Sequence, residues 1–535
     1  MPTSAQSAVP PLSDMPDPPP SVLLRWPAVT IICILFLLPW LFVRVPPIID
    51  VPGHLGRMAV ALAPSDSALH QFFSFTWVPV LNLGSDALIL ALSPALGLMG
   101  ASWLVCAATP LITALGVIAV VRTLNPRGAT GLSWALIFVI NWPFLYGFLN
   151  YSLTIGFSLF AVALWFRLEH RLISRAALFL ILLPLLMVSH AVGGAMATII
   201  IASQEAGRRE IWRRANWTLS TVTDLVRALW PLSGVVVGVI AWMSLAPPTS
   251  GETRWLISLK IDAVLMALRD QNIILDVGSM VAALAVLVLG RRWGARYRHG
   301  ALGPVVATAT MVLLAPSVLN SAHHIDTRLV PITLMLALAL QDWTGVAPSR
   351  RRFIAVAGVL LLASRLIVTT TSFIGYDRIY TSELSALDKV RPGARILSFV
   401  AVGCKLSDWK RHRLEHISNL ATVTHQSWVN SHWEMDGVNM LHVRYRPDAL
   451  YYKDPSEFVF PERCIDMKLP LAQRSRRTLQ ETLTVAPVDR VDYLWLVNAR
   501  LPTDYAGPPL DKLWSNGRSE IYAVRDPVPF RAARP

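Results

Sequence analysis

The chain has 535 residues, 54% of them apolar and 15% charged, with a formal net charge of +14. Soluble chains carry about 25% charged residues, so most of this one is excluded from being a soluble multidomain, disordered or fibrous protein. Residues 1–372 hold 25 Lys+Arg and 15 Asp+Glu, whereas residues 373–535 hold 23 and 19. The first part therefore reads as membrane and the second as an ordinary soluble domain. The basic residues of the first part cluster between apolar runs, as topology determinants do, and argue against a nucleic-acid partner.

Residues 1–25 read as a disordered cytoplasmic leader, Pro-rich and with nothing to pack. A membrane-spanning helix needs about 20 mostly apolar residues. Spans are predicted near 26–43, 101–121, 129–147, 150–167, 173–189, 190–206, 228–246, 273–290, 301–318, 329–346 and 353–372, about 11 in all. Segment 87–99 is read as a helix on or dipping into the outer face, closing a long first outer loop over 44–100. Segment 176–204 is read as two short helices with a turn near His190–Gly194. With the N-terminus inside, the cytoplasmic side of residues 1–372 carries 18 Lys+Arg and the outer loops 6, a positive-inside asymmetry.

The odd span count puts 373–535 outside. Short β-like runs at Arg395–Val400, Asp492–Asn498 and Glu520–Val524 predict a small α/β domain. Cys404 and Cys464 are its only cysteines, and in an exported domain they are expected to form a disulfide. His412, His416, His425, His432 and His442 fall close together without HExxH or CxxC framing. They read as a solvated loop or helix face.

The most informative stretch follows the first span: Pro46-Pro47-Ile48-Ile49-Asp50-Val51-Pro52-Gly53-His54-Leu55-Gly56-Arg57. Pro52 suits a helix's first turn and Asp50 its cap. Asp50, His54 and Arg57 then share a helix face at the outer boundary. A structural reading of all three (cap, surface imidazole, headgroup contact) stands beside the chemical one. A second cluster, Asn320 to Arg328, brings His324, Asp326 and Arg328 into one short outer loop. Arg365 lies within the last span, where a charge is costly and marks function by default; it could reach a ligand's phosphate or pair with an acid such as Asp276. His190 is either a site residue or a hydrogen-bonded helix end.

At this point the chain resembles the C-type glycosyltransferases (GT-C), polytopic enzymes using polyprenyl-phosphate-linked sugars. Asp50 lies just after the first span, in a long outer loop. The surface apolar segment Asp86–Gly100 follows, then a span and a basic turn. A helix pair comes next, with Asn141-Trp142-Pro143 and Asn150-Tyr151 at its outer bend, and then Ser189-His190 at the following one. The form Asp-x-Pro-x-His-x-x-Arg looks like that of uncharacterised bacterial members. The usual paired acidic motif is absent, since Asp50 lies between Ile49 and Val51.

The resemblance implies a GT-C-like fold and a multi-pass protein of the bacterial inner membrane, with its C-terminal domain periplasmic. The reaction it implies moves a sugar from a polyprenyl-phosphate donor to an extracytoplasmic glycan, lipid or protein acceptor. Such transfer needs a base for the acceptor hydroxyl and positive charge on the departing phosphate. Asp50 and His54 are the catalytic candidates. Arg57, His190, His324, Asp326, Arg328 and Arg365 are the candidates for substrate binding, with arginines suited to bidentate phosphate contact. No cofactor is fixed; a divalent metal, Mg or Mn, is compatible with the residues. A non-catalytic membrane assembly protein and a transporter of lipid-linked solutes are the alternatives.

Overall fold

The computed structural model describes residues 21–211, 218–246, 251–404, 408–410, 413–435, 437–469 and 474–529. Most of the predicted leader and His412 lie outside the described residues.

Among the described residues, six helices are long and apolar enough to cross a membrane: Gly84–Leu124, Leu149–Arg167, Leu172–Ser189, Leu219–Leu245, Ile273–Arg292 and Pro348–Lys389. Trp26–Phe42 and Leu302–Leu314 are shorter apolar helices. Two further helices, Ala191–Arg208 and Ile325–Leu340, pack among them.

The differences from the expected spans have local causes. Segment 87–99 is continuous with the following span in one helix, kinked where Gly97 takes φ +69°, a conformation glycine adopts without Cβ strain. Segment 129–147 breaks into Leu132–Leu136 and Trp142–Tyr146. Asn141 caps the second piece by accepting from the Phe144 amide, and Pro143 sits in its first turn, so these residues start a helix rather than continue one. The last apolar helix runs to Leu384 without a stop at 372. Segment 176–204 divides at His190, whose imidazole Nδ1 accepts from the Gly193 amide and so caps the second helix.

The C-terminal region is built on a six-stranded sheet. Strand Arg395–Ala401 is apolar and buried apart from Ala401 at its end, as a central parallel strand covered on both faces should be. It pairs in parallel with Trp428–Val429, Phe458–Val459 and Tyr493–Val497. Glu520–Val524 then pairs antiparallel with Tyr493–Val497 on one side and Leu510–Ser515 on the other. The three β-like runs of the sequence are therefore all strands of one sheet.

The first outer loop is part of this domain's core. Its strand Phe73–Phe75 pairs antiparallel with Leu441–Val443. Val60, Leu69, Phe72 and Phe73 share one hydrophobic cluster with Leu397, Phe399, Trp428 and Leu494. Helix Val51–Ala61 presents Gly53 and Gly56 to the C-terminal domain. A Cβ at Gly53 would lie 2.5 Å from the Trp433 ring, and one at Gly56 would lie 2.6 Å from the His432 ring. These two glycines let the domain seat directly on the helix that follows Asp50.

Cys404 and Cys464 are disulfide-bonded, with Cα atoms 5.3 Å apart. The bond links the end of the central strand to the turn after Phe458–Val459. A Cys404→Ser, Cys464→Ser double variant is expected to lose about 2–4 kcal/mol of stability. Limited proteolysis of the detergent-purified protein checks this, through faster cleavage within 373–535.

Candidate functional site

The Val51–Ala61 helix starts as the sequence predicts, with Asp50 at the N-cap and Pro52 in the first turn, but the Asp50 side chain makes no cap hydrogen bond. Its amide donates to the Tyr146 carbonyl at 2.9 Å, and Ile49 does the same to Leu145. The loop after the first apolar helix is thereby tied to the Trp142–Tyr146 turn. Gly147 closes this contact: at φ +119° its missing Cβ would lie 2.4 Å from the Asp50 Cβ.

Asp50 is 8% exposed. His416 Nε2 lies 3.8 Å from its Oδ1. Burial pushes the Asp50 carboxyl up to about 7; His416 and Arg328 pull against this shift, while Glu415 and Asp454 reinforce it. A buried carboxyl poised near neutrality is what a general base at physiological pH requires.

Asp50, His54 and Arg57 do not form one cluster. Arg57 is buried, its Nη2 bonded to Asp86 at 2.5 Å and to His54 Nδ1 at 2.9 Å, and its Nη1 to Asn439 at 3.4 Å. A guanidinium can only donate, so His54 Nδ1 accepts. The proton then sits on Nε2, which donates to the Gly147 carbonyl at 3.3 Å. His54 thus reaches Asp50 indirectly, by holding the glycine that packs on it, and Arg57's charge is matched by Asp86.

Arg328 is also buried. Its Nη2 donates to the His323 carbonyl at 2.9 Å, and its guanidinium lies 3.6 Å from the Phe148 ring centroid. Its Nε has no hydrogen-bond partner. His324, at φ +63° before the Ile325–Leu340 helix, joins an aromatic cluster with Trp142, Tyr146 and Phe148, with centroids 4.8–6.3 Å from its own.

The remaining predicted residues are placed elsewhere. Asp326 accepts from Lys260 Nζ at 2.8 Å and Ser317 Oγ at 2.7 Å, and Lys260 also donates to the Val312 and Ala315 carbonyls. Arg365 pairs with Asp276 at 3.1 Å and donates to the Leu268 carbonyl at 3.0 Å. His190 is the helix cap described above, edge-on to Tyr151.

The expectation of a solvated histidine face in the C-terminal domain is corrected by the structure. His416 is 3% exposed and His432 1%, because both sit where the domain closes over the Val51–Ala61 helix. Burial pushes the His432 imidazole down to about 3, with His416 and Arg57 adding to the shift. Burial alone would depress His416 too, but Glu457, Asp454 and Asp50 push it up to about 10. Sequence reasoning missed His416, Glu415 and Asp454 as neighbours of Asp50, since no spacing links positions about 365–404 residues apart.

Fold and site together define a polytopic helical membrane protein whose C-terminal α/β domain completes the surroundings of an acidic residue after the first apolar helix. No protein-family model matches the chain, and no curated protein matches it. Among solved structures it is similar to ArnT from Cupriavidus metallidurans bound to undecaprenyl phosphate, at 11% identity and TM-score 0.47, covering 96% of this chain and 100% of that one. The apo state of ArnT matches at 11% identity and TM-score 0.46, covering 92% and 96%. The arabinofuranosyltransferase AftD from Mycobacteria matches at 17% identity and TM-score 0.41, covering 93% of this chain and 40% of AftD.

Proposed function

We propose that the protein is a GT-C-type membrane glycosyltransferase, transferring a sugar from a polyprenyl-phosphate donor to an extracytoplasmic acceptor. Asp50 is the base and Arg328 the phosphate-holding cation. The observation that carries this reading is the buried Asp50 carboxyl, held near neutrality in a site that Arg328 also influences. Of the three arginines expected to hold phosphate, Arg57 is matched by Asp86 and Arg365 by Asp276. Arg328 has no carboxylate ion pair among the described residues and keeps an unpartnered Nε. The aromatic cluster around His324 offers a stacking surface for a sugar.

An apolar cavity of about 580 Å³ supports a lipid donor. It runs between the helices Gly84–Leu124, Leu149–Arg167 and Leu172–Ser189, lined by Leu88, Leu153, Phe157, Phe160 and Leu185, with Gly84 and Ser189 also on its wall. Gly84 stands two residues from Asp86, the partner of Arg57. In this reading the N-terminus is cytoplasmic, and the C-terminal domain lies in the periplasm over the site.

The test is transfer itself. Membranes carrying the protein, given radiolabelled polyprenyl-phosphate sugars, should move label into an extractable glycan, glycolipid or protein, and membranes lacking it should not. Mass spectrometry of envelope glycans with and without the gene then identifies the acceptor. Equal incorporation in both membranes, with unchanged glycans, overturns the assignment.

A further inference from the structure

We propose that Arg413 is a positioning residue for Asp50: its buried guanidinium pins the C-terminal domain to the loop that carries Asp50 and to the apolar helices beside it. The proposal rests on the reading of Asp50 as the base. Arg413 is fully buried. Its Nη2 donates to Asp270 Oδ1 at 2.5 Å and its Nη1 to the Pro47 carbonyl at 3.1 Å. The guanidinium lies 4.9 Å from the Phe373 ring centroid and 5.2 Å from that of Tyr376, both on helix Pro348–Leu384. Tyr380 of the same helix donates its hydroxyl to the Arg413 carbonyl. One residue thus joins the C-terminal domain, the turn before helix Ile273–Arg292, the loop after the first apolar helix and the last apolar helix.

The place of this pin decides what it does. Pro47 stands three residues before Asp50, and Arg413 three residues before His416, whose Nε2 lies 3.8 Å from Asp50 Oδ1. The two stretches of chain that meet at Asp50 are therefore tied together just before they meet. Beyond Asp50 they touch again, where the Trp433 ring packs on Gly53. His416 takes φ +63°, a left-handed backbone that a residue other than glycine keeps only where its surroundings over-determine it.

A second contact anchors the same side of the domain. Trp409 Nε1 donates to Asp276 Oδ2 at 2.9 Å, and Asp276 is the partner of Arg365 within the last apolar helix. Arg269 donates to the Trp409 carbonyl at 2.8 Å and to the Asp408 carbonyl. The Arg365–Asp276 pair is thus half of a docking point for Trp409. Stability alone does not call for a buried arginine at 413. Replacing a buried ion pair by apolar side chains of similar volume is often neutral or stabilising. What an apolar side chain cannot do is fix direction. A guanidinium is a rigid planar fork. With one nitrogen on Asp270 and another on Pro47, it sets the register between the domain and the Asp50 loop.

Hydrogen exchange on the full-length, detergent-purified protein tests the pin without a transfer assay. The double variant Arg413→Met, Asp270→Asn removes both charges, so that neither is left buried and unmatched, and it removes the bond to Pro47. Asp270→Asn alone keeps that bond. In the double variant the Ile49 and Asp50 amides, which donate to the Leu145 and Tyr146 carbonyls, should exchange about tenfold faster, the worth of one hydrogen bond from a charged donor. Helix Leu149–Arg167 and strand Arg395–Ala401 should keep wild-type rates, and Asp270→Asn should keep them at Ile49 and Asp50. Arg413→Lys is the second probe, should the double variant not fold. Its ammonium keeps a charge facing Asp270 without the fork, and it should show the same local acceleration. Sugar transfer per folded molecule should fall through kcat, with the donor KM unchanged. Wild-type exchange at Ile49 and Asp50 in both Arg413 variants, or acceleration spread evenly over all these segments, overturns the pin. Faster exchange with an unchanged kcat removes Arg413 as a positioning residue. The expected exchange in a protein whose wild type transfers no sugar leaves the pin standing and removes the proposed function instead.

Discussion

Replacing Asp50 by Asn should lower sugar transfer by about 10²–10⁴-fold, while the amount of protein in the membrane and its melting temperature hold. Asn has nearly the shape of Asp and removes a charge that burial disfavours. The amide bond from residue 50 to the Tyr146 carbonyl and the contact with Gly147 are made by backbone and Cβ, so the site should keep its form. What Asn cannot do is accept a proton from an acceptor hydroxyl. Transfer in isolated membranes, normalised to protein level, measures the loss. Asp326→Asn is the instructive contrast. Asp326 is buried against Lys260 and Ser317, and removing one partner of a buried pair leaves an uncompensated charge. Its variant should lower protein level and melting temperature rather than the rate per folded molecule. Wild-type transfer by Asp50→Asn, with normal protein levels, would end the assignment of Asp50 and favour a non-catalytic assembly role.

Helices and strands were legible wherever one physical signal dominated. Leu149–Arg167 is a mostly apolar run, uncharged until the arginine that closes it. The strand Arg395–Ala401 is a mostly apolar run flanked by turn residues, and the Cys404–Cys464 bond followed from counting cysteines in a domain read as exported. Broken elements were less legible, because composition does not distinguish a continuous apolar helix from one interrupted at Asn141-Trp142-Pro143. The place of Asp50 at the start of the Val51–Ala61 helix was legible, but its surroundings were not. His54 and Arg57 were expected beside it by helical spacing, yet Arg57 turns to Asp86, whose place depends on how the Gly84–Leu124 helix packs. His416 reaches Asp50 only because Gly53 and Gly56 let a domain more than 300 residues later sit on the loop after the first apolar helix. No local pattern encodes that closure.

The Arg57–Asp86 pair should prove as important to the fold as Asp50 is expected to be to the rate. Arg57 is 5% exposed and Asp86 2%. Their bond joins helix Val51–Ala61 to the start of helix Gly84–Leu124, while Asn439 of the C-terminal domain holds the other guanidinium nitrogen. Asp86→Asn leaves a buried guanidinium with only neutral partners, and Arg57→Met leaves a buried carboxylate with only His54, at 3.6 Å, and Asn150 beside it. Each single change is expected to cost about 3–5 kcal/mol, read as a lower melting temperature and earlier proteolysis of the detergent-purified protein. The double variant, with neither charge left unmatched, should cost less than the sum of the two, since replacing both partners of a buried pair can be nearly neutral. Transfer should fall in both singles as well, because the Arg57–His54–Gly147 chain holds the backbone against Asp50. Phosphate holding by Arg57 predicts a different pattern: Asp86→Asn would spare the donor contact, and Arg57→Met would raise the donor KM without lowering stability. A single variant within about 0.5 kcal/mol of wild type, together with a raised KM, would return Arg57 to the donor site and leave Arg328 as its partner there rather than its replacement.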